Sequence, residues 1–453
     1  MPRAVCEKLS PRPGGRNRRG ATPSPSRIPR RSCDDTPEMD LALSSPAAHA
    51  RTAFVIFAAT YAVLGFGSLP PLRIDRTGAT LIGATAMVGF GVLTPQQAVA
   101  AIDFHTLALL FGMMILVAHL RIAGFFAWLD TRLLGWAHAP RRILVLTVWL
   151  SGAISALFVN DTACLLLTAL VLETSLSMRR NPLPFLLAVA MGSNLGSVAT
   201  IVGNPQNMLV AGFSGISYAR FLAVLLPVAI AGLAIGSGLL AWMFRRDLEG
   251  PAVAPEPRPE VTVQRPLLIK SLIVTGLLLV ALLIGVTPSL CALIAASALL
   301  ITRRLDPQAV YAEVDWSLLT MFAGLFVVIE GVERSGLSSG WLAVIPPETR
   351  HSIPVFAAAT AVLSNLVSNV PAVLLLKTWA AHFANPELSW LVLAMASTLA
   401  GNLTLVGSVA NLIVVEQARG RAHVGFWAYA RIGVPLTLVT LALGLAWVMW
   451  VVR

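Results

Sequence analysis

The residues able to bind small ions gather in two polar stretches. One is Ser193-Asn194-Leu195-Gly196-Ser197-Val198-Ala199-Thr200-Ile201-Val202-Gly203-Asn204-Pro205-Gln206-Asn207. The other is Ala400-Gly401-Asn402-Leu403-Thr404-Leu405-Val406-Gly407-Ser408-Val409-Ala410-Asn411. Each interrupts an apolar segment. The chemistry on offer is coordination: a broken helix presents N–H groups with partial positive charge at one end and free carbonyls at another. The N–H ends suit the oxygens of an anion, and carbonyls with Ser, Thr and Asn oxygens suit a small cation such as Na⁺. In lipid such unwound backbone is tolerated only against protein or a water-filled cavity. Corresponding breaks in two halves of a chain point to the binding site of a secondary transporter.

Two further polar points accompany the breaks. Residues 143–158 and 163–178 read as short apolar arms around Asn160-Asp161-Thr162, with Arg141-Arg142 before and Arg179-Arg180 after. An arm of this length spans roughly 24 Å as helix, short for a hydrocarbon core of about 30 Å. Basic pairs at both ends favour one side for both. The economical reading is a re-entrant hairpin with its tip in mid-membrane; two ordinary spans joined by a polar turn is the alternative. Ser155–Leu167 aligns without gaps to Ser364–Leu376, at a shift of 209, with seven of thirteen residues identical. The second hairpin tip is therefore Ser368-Asn369, with Ser364 matching Ser155.

Leu93-Thr94-Pro95-Gln96 matches Leu305-Asp306-Pro307-Gln308, and Asp103-Phe104 matches Asp315-Trp316, both at a shift of 212. Thr200, Gly203 and Asn207 match Thr404, Gly407 and Asn411 at a shift of 204. Three blocks in one order make the chain an internal duplication. Spans are expected near 52–69, 78–93, 104–125, 186–213 (broken), 221–244, 267–285, 287–302, 316–335, 389–418 (broken) and 424–451. Each half thus holds five spans and one hairpin. An odd number turns the second half upside down, as in the inverted repeats of secondary transporters.

Composition agrees with a polytopic all-α membrane protein. Of 453 residues, 56% are hydrophobic and 12% charged, against roughly 25% charged in soluble domains. Outside the N-terminal segment, the excess positive charge behind the net +11 lies in short inter-helix loops, where it orients spans, and does not call for nucleic acid. With the first hairpin opening inward, the cytoplasmic loops would hold Arg73, Arg76, Arg121, Arg132, Arg141, Arg142, Arg179, Arg180, Arg303, Arg304, Arg419 and Arg421. The external side would keep Arg220, Arg334, Arg350 and Arg453. That orientation leaves the Arg/Pro/Ser-rich segment 1–51 outside, its unfavourable side. The segment has no apolar run, is expected to be disordered, and Met39 is an alternative start. Repeat 1 is expected over 52–244, a flexible cytoplasmic linker over 245–266 and repeat 2 over 267–453. Cys6, Cys33, Cys164 and Cys291 show no disulfide or zinc spacing.

The candidate ligand set is Ser155, Asn160, Asp161, Thr162, Ser193, Asn194, Gly196, Thr200, Gly203, Asn204 and Asn207 from the first half. The second half adds Ser364, Ser368, Asn369, Gly401, Asn402, Thr404, Gly407 and Asn411. Gly192, Gly196, Gly203, Gly401 and Gly407 permit close approach and unusual torsions, or serve helix packing. Asp161 is the only acid at either tip, its counterpart being Val370. It can ligate Na⁺, carry a proton or cap the second arm. Na⁺, if it is the coupling ion, belongs near Asn160, Asp161 and Gly203. Glu173 and Glu330 are secondary proton candidates, with Glu330 able to pair with Arg334 one turn on. Cys164 is a packing residue or a soft ligand.

Ser193–Asn207, Val159-Asn160-Asp161-Thr162, Ser368-Asn369-Val370-Pro371 and Gly401–Asn411 together resemble the ion transporter superfamily over about residues 52–450. Within it the chain is similar to the branch of divalent-anion/sodium symporters, citrate carriers and arsenite-pump membrane subunits. That resemblance implies a homodimeric elevator carrier of the cytoplasmic membrane, whose hairpins and broken spans move against a scaffold. It implies a small inorganic or carboxylate anion as cargo and Na⁺ or H⁺ as coupling ion, with no other cofactor. Dicarboxylate symporters carry Ser-Asn-Thr at both tips. Here the triplets are Val159-Asn160-Asp161 and Ser368-Asn369-Val370, which moves the chain toward the arsenite and Na⁺/H⁺ antiport side. Na⁺/H⁺ antiport, metalloid efflux and a non-transporting sensor subunit are the alternative readings. No nucleophile–base–acid set argues for an enzyme, and there is no Gly-x-x-x-x-Gly-Lys-Ser/Thr for ATP.

The arginine partition has a direct test. Cysteine introduced by Arg180→Cys should react with an impermeant thiol reagent only from the cytoplasmic side, and by Arg350→Cys only from outside. Labelling of both from one face would refute the inverted arrangement.

Overall fold

The computed structural model describes residues 46–66, 68–69, 74–126, 128–129, 139–249, 263–302, 305–337 and 346–453. Most of the expected N-terminal segment, the middle of the linker and Arg73, Arg132, Arg303 and Arg304 lie outside the described residues. In the first half the chain forms α1 (Pro46–Phe66), α2 (Arg76–Gly89), α3 (Pro95–Ala101), α4 (Phe104–Ile122), α5 (Pro140–Phe158), α6 (Asn160–Ser177), α7 (Leu183–Ser197), α8 (Pro205–Ser214) and α9 (Tyr218–Met243). The second half repeats the order as α10 (Arg265–Leu283), α11 (Pro288–Leu300), α12 (Pro307–Tyr311), α13 (Trp316–Arg334), α14 (Ile353–Val367), α15 (Asn369–Ala381), α16 (Pro386–Ala400), α17 (Val409–Ala418) and α18 (Phe426–Val451). A two-residue antiparallel pairing of β1 (Ser68–Leu69) with β2 (Ile74–Asp75) follows α1.

Local chemistry sets the same boundaries twice. Thr94 caps α3 in a reciprocal box with Gln97, and Asp306 caps α12 through the Gln308 amide; each helix opens on a proline, whose missing N–H costs nothing there. Asp103 and Asp315 then cap α4 and α13 by accepting from backbone amides. The closing helices α9 and α18 are each 26 residues long, and each carries an internal proline, Pro227 and Pro435. The short α3 and α12 were not expected as helices, although their sequence match was.

The helices sort into two bodies. In one, α2 packs on α13 and α4 on α11, flanked by α1 and α10. The other joins α5–α9 to α14–α18, with α5 on α7, α14 on α16, α6 on α17 and α9 on α18. The crossed pairs of the first body use equivalent glycines. A Cβ on Gly112 of α4 would stand 2.6 Å from the Ala292 backbone of α11, and one on Gly324 of α13 would stand 2.9 Å from the Thr80 backbone of α2. Gly112 to Gly324 and Thr80 to Ala292 are both separated by 212 residues. The duplication is therefore written in packing as well as in sequence.

Ends of helices gather into two contact groups. Arg180 donates to the Glu249 carbonyl at 2.5 Å, Asn181 to Asp247 at 3.1 Å, and Arg121 pairs with Glu313 at 2.6 Å. Elsewhere Arg220 pairs with Glu387 at 2.6 Å, Asn385 donates to the Val452 carbonyl, and the Trp379 indole donates to the Arg350 carbonyl. The 26 residues of α9 separate Arg220 from the Asp247 group by about 39 Å.

Seven described helices are long and apolar enough to cross a membrane. Among the expected spans, α2 and α11 have only 14 and 13 residues, about 20 Å of helix. The hairpin arms are longer than expected, 19 residues in α5 and 18 in α6, because helix continues to within one residue of the tip on both sides. Length alone therefore does not distinguish a re-entrant arm from a span.

The glycine contacts predict unequal costs for one chemical change. Gly112→Ala puts a methyl into the Ala292 backbone and should cost roughly 1–3 kcal/mol, the usual penalty of overpacking. Gly238→Ala, in α9, would meet nothing within 4 Å and should leave the melting temperature of the detergent-purified protein unchanged or slightly raised. Equal behaviour of the two variants would contradict this packing.

Candidate functional site

Each hairpin turns on one residue. Val159 has φ 75° and Ser368 has φ 76°, non-glycine residues in left-handed backbone at aligned positions. This corrects two expectations. The polar triplet Asn160-Asp161-Thr162 is the first turn of α6 and not a loop. The unusual torsions sit at the tips, because Gly192, Gly196, Gly203, Gly401 and Gly407 all have ordinary φ. Those glycines serve close approach. A Cβ on Gly196 would collide with the Gly152 backbone, one on Gly192 with Ser151, one on Gly203 with the Ser197 backbone, and one on Gly407 with the Asn365 amide oxygen. Gly401 has more room, its nearest neighbour being the Thr398 carbonyl at 3.1 Å.

Both expected breaks are present. After α7 the chain extends at Thr200, makes one 3-10 turn over Ile201–Gly203, and extends again at Asn204 before α8. After α16 it does the same through Thr404, Leu405–Gly407 and Ser408. Equivalent side chains satisfy the freed carbonyls. Asn207 donates to the carbonyls of Ser197 and Thr200 at 3.0 and 2.9 Å, and Asn411 to those of Gly401 and Thr404 at 2.7 and 3.2 Å. Ser155 donates to the Ser193 carbonyl at 2.6 Å and Ser364 to the Ser397 carbonyl at 3.1 Å, tying each hairpin to its own broken helix. Thr200 bonds the Ala156 carbonyl, and Thr404 bonds the side chain of Asn365.

The two repeats then exchange bonds through the centre. Asn194 of α7 donates to the oxygens of Asn402 and Asn411 at 2.9 and 3.1 Å and accepts from Ser408 at 3.2 Å. Its counterpart Thr398 of α16 accepts from Asn204 at 3.2 Å and donates to Asn207 at 3.3 Å. Asn160, Asn194, Asn204, Asn207, Asn402 and Asn411 are all at most 2% exposed, so every amide orientation is constrained by its neighbour. Because Asn411 spends its N–H groups on carbonyls, Asn194 must turn its own nitrogen toward Asn411. The Asn194 oxygen is then left to receive Asn160 Nδ2 at 3.2 Å.

Here the symmetry ends. With its nitrogen turned to the carbonyls of Ser397 and Gly407, at 3.1 Å each, Asn369 presents its oxygen to Gln206 Nε2 at 3.2 Å. The residue equivalent to Gln206 is Ala410. Asn160 Oδ1 has no counterpart donor and is buried without a hydrogen bond, a state that costs about 1–3 kcal/mol unless a ligand fills it. Asp161 beside it is likewise no cap: α6 has no side-chain capping bond, which removes the structural role considered for it.

Asn160, Asp161, Ser368, Asn369, Gln206 and Ser408 line a cavity of about 50 Å³ between the tips, closed on the other body by Leu64, Arg76 and four apolar residues of α13. Asp161 also lines a wider cavity of about 360 Å³ that holds Thr162, Arg121, Glu313 and Asp315. A third cavity of about 420 Å³ lies among Asp103, His105, Ile201, Tyr218 and Ser289. Thr162 therefore faces the wider cavity and not the tip network. Ser193 turns inward to the Ala190 carbonyl and to Cys164, whose sulfur lies 3.0 Å away, so Cys164 packs α6 on α7. Glu330 bonds Arg334 at 2.6 Å, the helical pair considered for it, and Glu173 is exposed.

Sequence reasoning missed Gln206, Thr398, Asn365 and Arg76. The first three lie within or beside the quoted motifs and are found by asking which equivalent positions differ. Arg76 was assigned to a loop, whereas it is the first residue of α2 and half-buried at the tip cavity.

A family model described as citrate transporter, CitMHS, matches residues 53–400. The silicon efflux transporter LSI3 of Oryza sativa subsp. japonica is 35% identical over 86% of this chain and 96% of its own length. The putative transporter arsB of Dictyostelium discoideum is 28% identical over 82% and 87%. Among solved structures, the YdaH transporter of Alcanivorax borkumensis is similar at TM-score 0.49 and 15% identity, over 90% of this chain and 98% of that one. With a family match across most of its length and seven helices able to cross a membrane, the chain belongs to the CitMHS citrate transporter family and is a multi-pass membrane transporter, not an enzyme.

Proposed function

We propose that the protein is a secondary active carrier in the cytoplasmic membrane, moving a small anion coupled to Na⁺ or H⁺ at the cavity between the hairpin tips. The observation that carries this reading is the unpaired pair at the first tip: a buried amide oxygen with no donor and an adjoining carboxylate with no capping role. Both attract positive charge, as Na⁺ or as a proton. The equivalent amide oxygen at the second tip already receives Gln206, so the coupling position is single. Na⁺ would take Asn160 Oδ1 and Asp161, both of which line the tip cavity.

The elevator motion and the inverted arrangement belong to the same proposal. Their support is the division into two bodies with the polar network confined to one, and the length of α9, which holds Arg220 about 39 Å from the Asp247 contacts. Sliding one body on the other would carry the intact network past the apolar face of α13, which avoids unmaking buried hydrogen bonds in lipid. A homodimer held by the first body fits that motion. The silicon and arsB names of the relatives favour an oxygen-rich small solute.

Asp161→Asn is the test. It keeps size and hydrogen bonding but removes the charge, and the reading requires gradient-driven flux in proteoliposomes to fall by about tenfold or more. That is the loss expected from one charge-assisted contact. Expression and melting temperature should hold. Flux near wild type, with the same response to Na⁺ and pH, would take Asp161 out of coupling.

A further inference from the structure

We propose that Arg76 is the residue that reads the charge of the transported solute, and that the tip cavity takes a small inorganic oxyanion and not a tricarboxylate. The inference deepens the carrier reading and rests on it. Arg76 is half-buried, lines the cavity shared by both hairpin tips, and forms no ion pair or hydrogen bond with any described residue. A guanidinium without a counter-charge in a cavity also lined by Leu64, Phe322 and Leu325 is costly to bury, and its planar fork matches the oxygens of a tetrahedral or trigonal anion.

The fold does not demand the arginine. At the shift of 212 that relates α2 to α11, the equivalent residue is Pro288, which opens its helix just as well. The same cavity is lined by Ser368 and the first turn of α15, where the N–H groups of Asn369 and Val370 have no intrahelical partner. Those amides add partial positive charge on the second tip. The cavity thus offers both kinds of group: Asn160 Oδ1 and Asp161 attract a cation, while the Arg76 guanidinium attracts an anion. Its volume of about 50 Å³ holds on the order of three or four waters, room for an anion of a few heavy atoms.

The full chain, purified in detergent and again in nanodiscs of zwitterionic lipid, would be followed by thermal shift against phosphate, arsenate, sulfate, citrate and silicic acid. A ligand that binds the native state raises the melting temperature. At least one small oxyanion should stabilise the wild type in both media, and citrate should not. Arg76→Gln should melt as wild type without ligand and lose apparent affinity by about tenfold or more, with Arg76→Lys recovering part of it. Retention of the shift in Arg76→Gln, a shift given by citrate or silicic acid alone, or no oxyanion shift in either medium would overturn the assignment. If Arg76→Gln does not fold, uptake of labelled phosphate, arsenate, sulfate and citrate into wild-type proteoliposomes decides it. Uptake of an oxyanion without citrate supports the proposal; uptake of citrate alone sinks it while the carrier reading stands, and uptake of none of them overturns both.

Discussion

The structure depends on one constraint: amide and carbonyl groups freed by two broken helices must find partners where water does not reach. Asn207 and Asn411 meet it by bonding the carbonyls that the breaks expose. Having spent their nitrogens, they can only offer oxygens, and that fixes the orientation of Asn194 and Thr398 in the opposite repeat. Each repeat thereby completes the other. A buried polar network of this kind is stabilising only when every member is satisfied, and its one unmet acceptor among the described residues is Asn160 Oδ1.

The close helix contacts follow from the same constraint. Serine and asparagine side chains reach the carbonyls of a neighbouring helix only when the two backbones lie near each other. Gly152, Gly192 and Gly196 provide that approach between α5 and α7, where Ser155 bonds the Ser193 carbonyl. In the other body Gly112 and Gly324 bring crossed helices together, and Thr77 of α2 donates across to the Ser317 carbonyl of α13 at 3.2 Å. The buried asparagines among the described residues all lie in the body of α5–α9 and α14–α18.

Much of this was legible in the residues. The duplication, both breaks, both hairpins and most of the network follow from matched Asn, Ser, Thr and Gly positions, because coordination chemistry leaves a polar signature in an apolar chain. Backbone geometry was not legible. Val159 and Ser368 are unremarkable by type, yet they take the left-handed turn, while the glycines expected to do so stay regular. Glycine enrichment reports that something must be small or strained and does not say which. Arg76 was out of reach for another reason. Its placement depends on α2 packing against α13 from the other half, and a loop-charge argument has no access to that contact.

The paired left-handed residues explain how a symmetric scaffold yields an asymmetric site. A non-glycine residue at φ near 75° costs on the order of 1–3 kcal/mol, and both tips accept it because it reverses the chain in a single residue. Helix therefore begins at once with Asn160 and Asn369, each aimed inward. Around these like tip turns the repeats differ by substitution: Gln206 against Ala410, Asp161 against Val370, Arg76 against Pro288. Gln206 closes the second amide oxygen, while Asp161 adds negative charge beside the first. Arg76 brings positive charge from the body that holds no network. Three side-chain differences thus put a carboxylate, a guanidinium and an amide donor around one cavity that the repeated frame alone would leave alike.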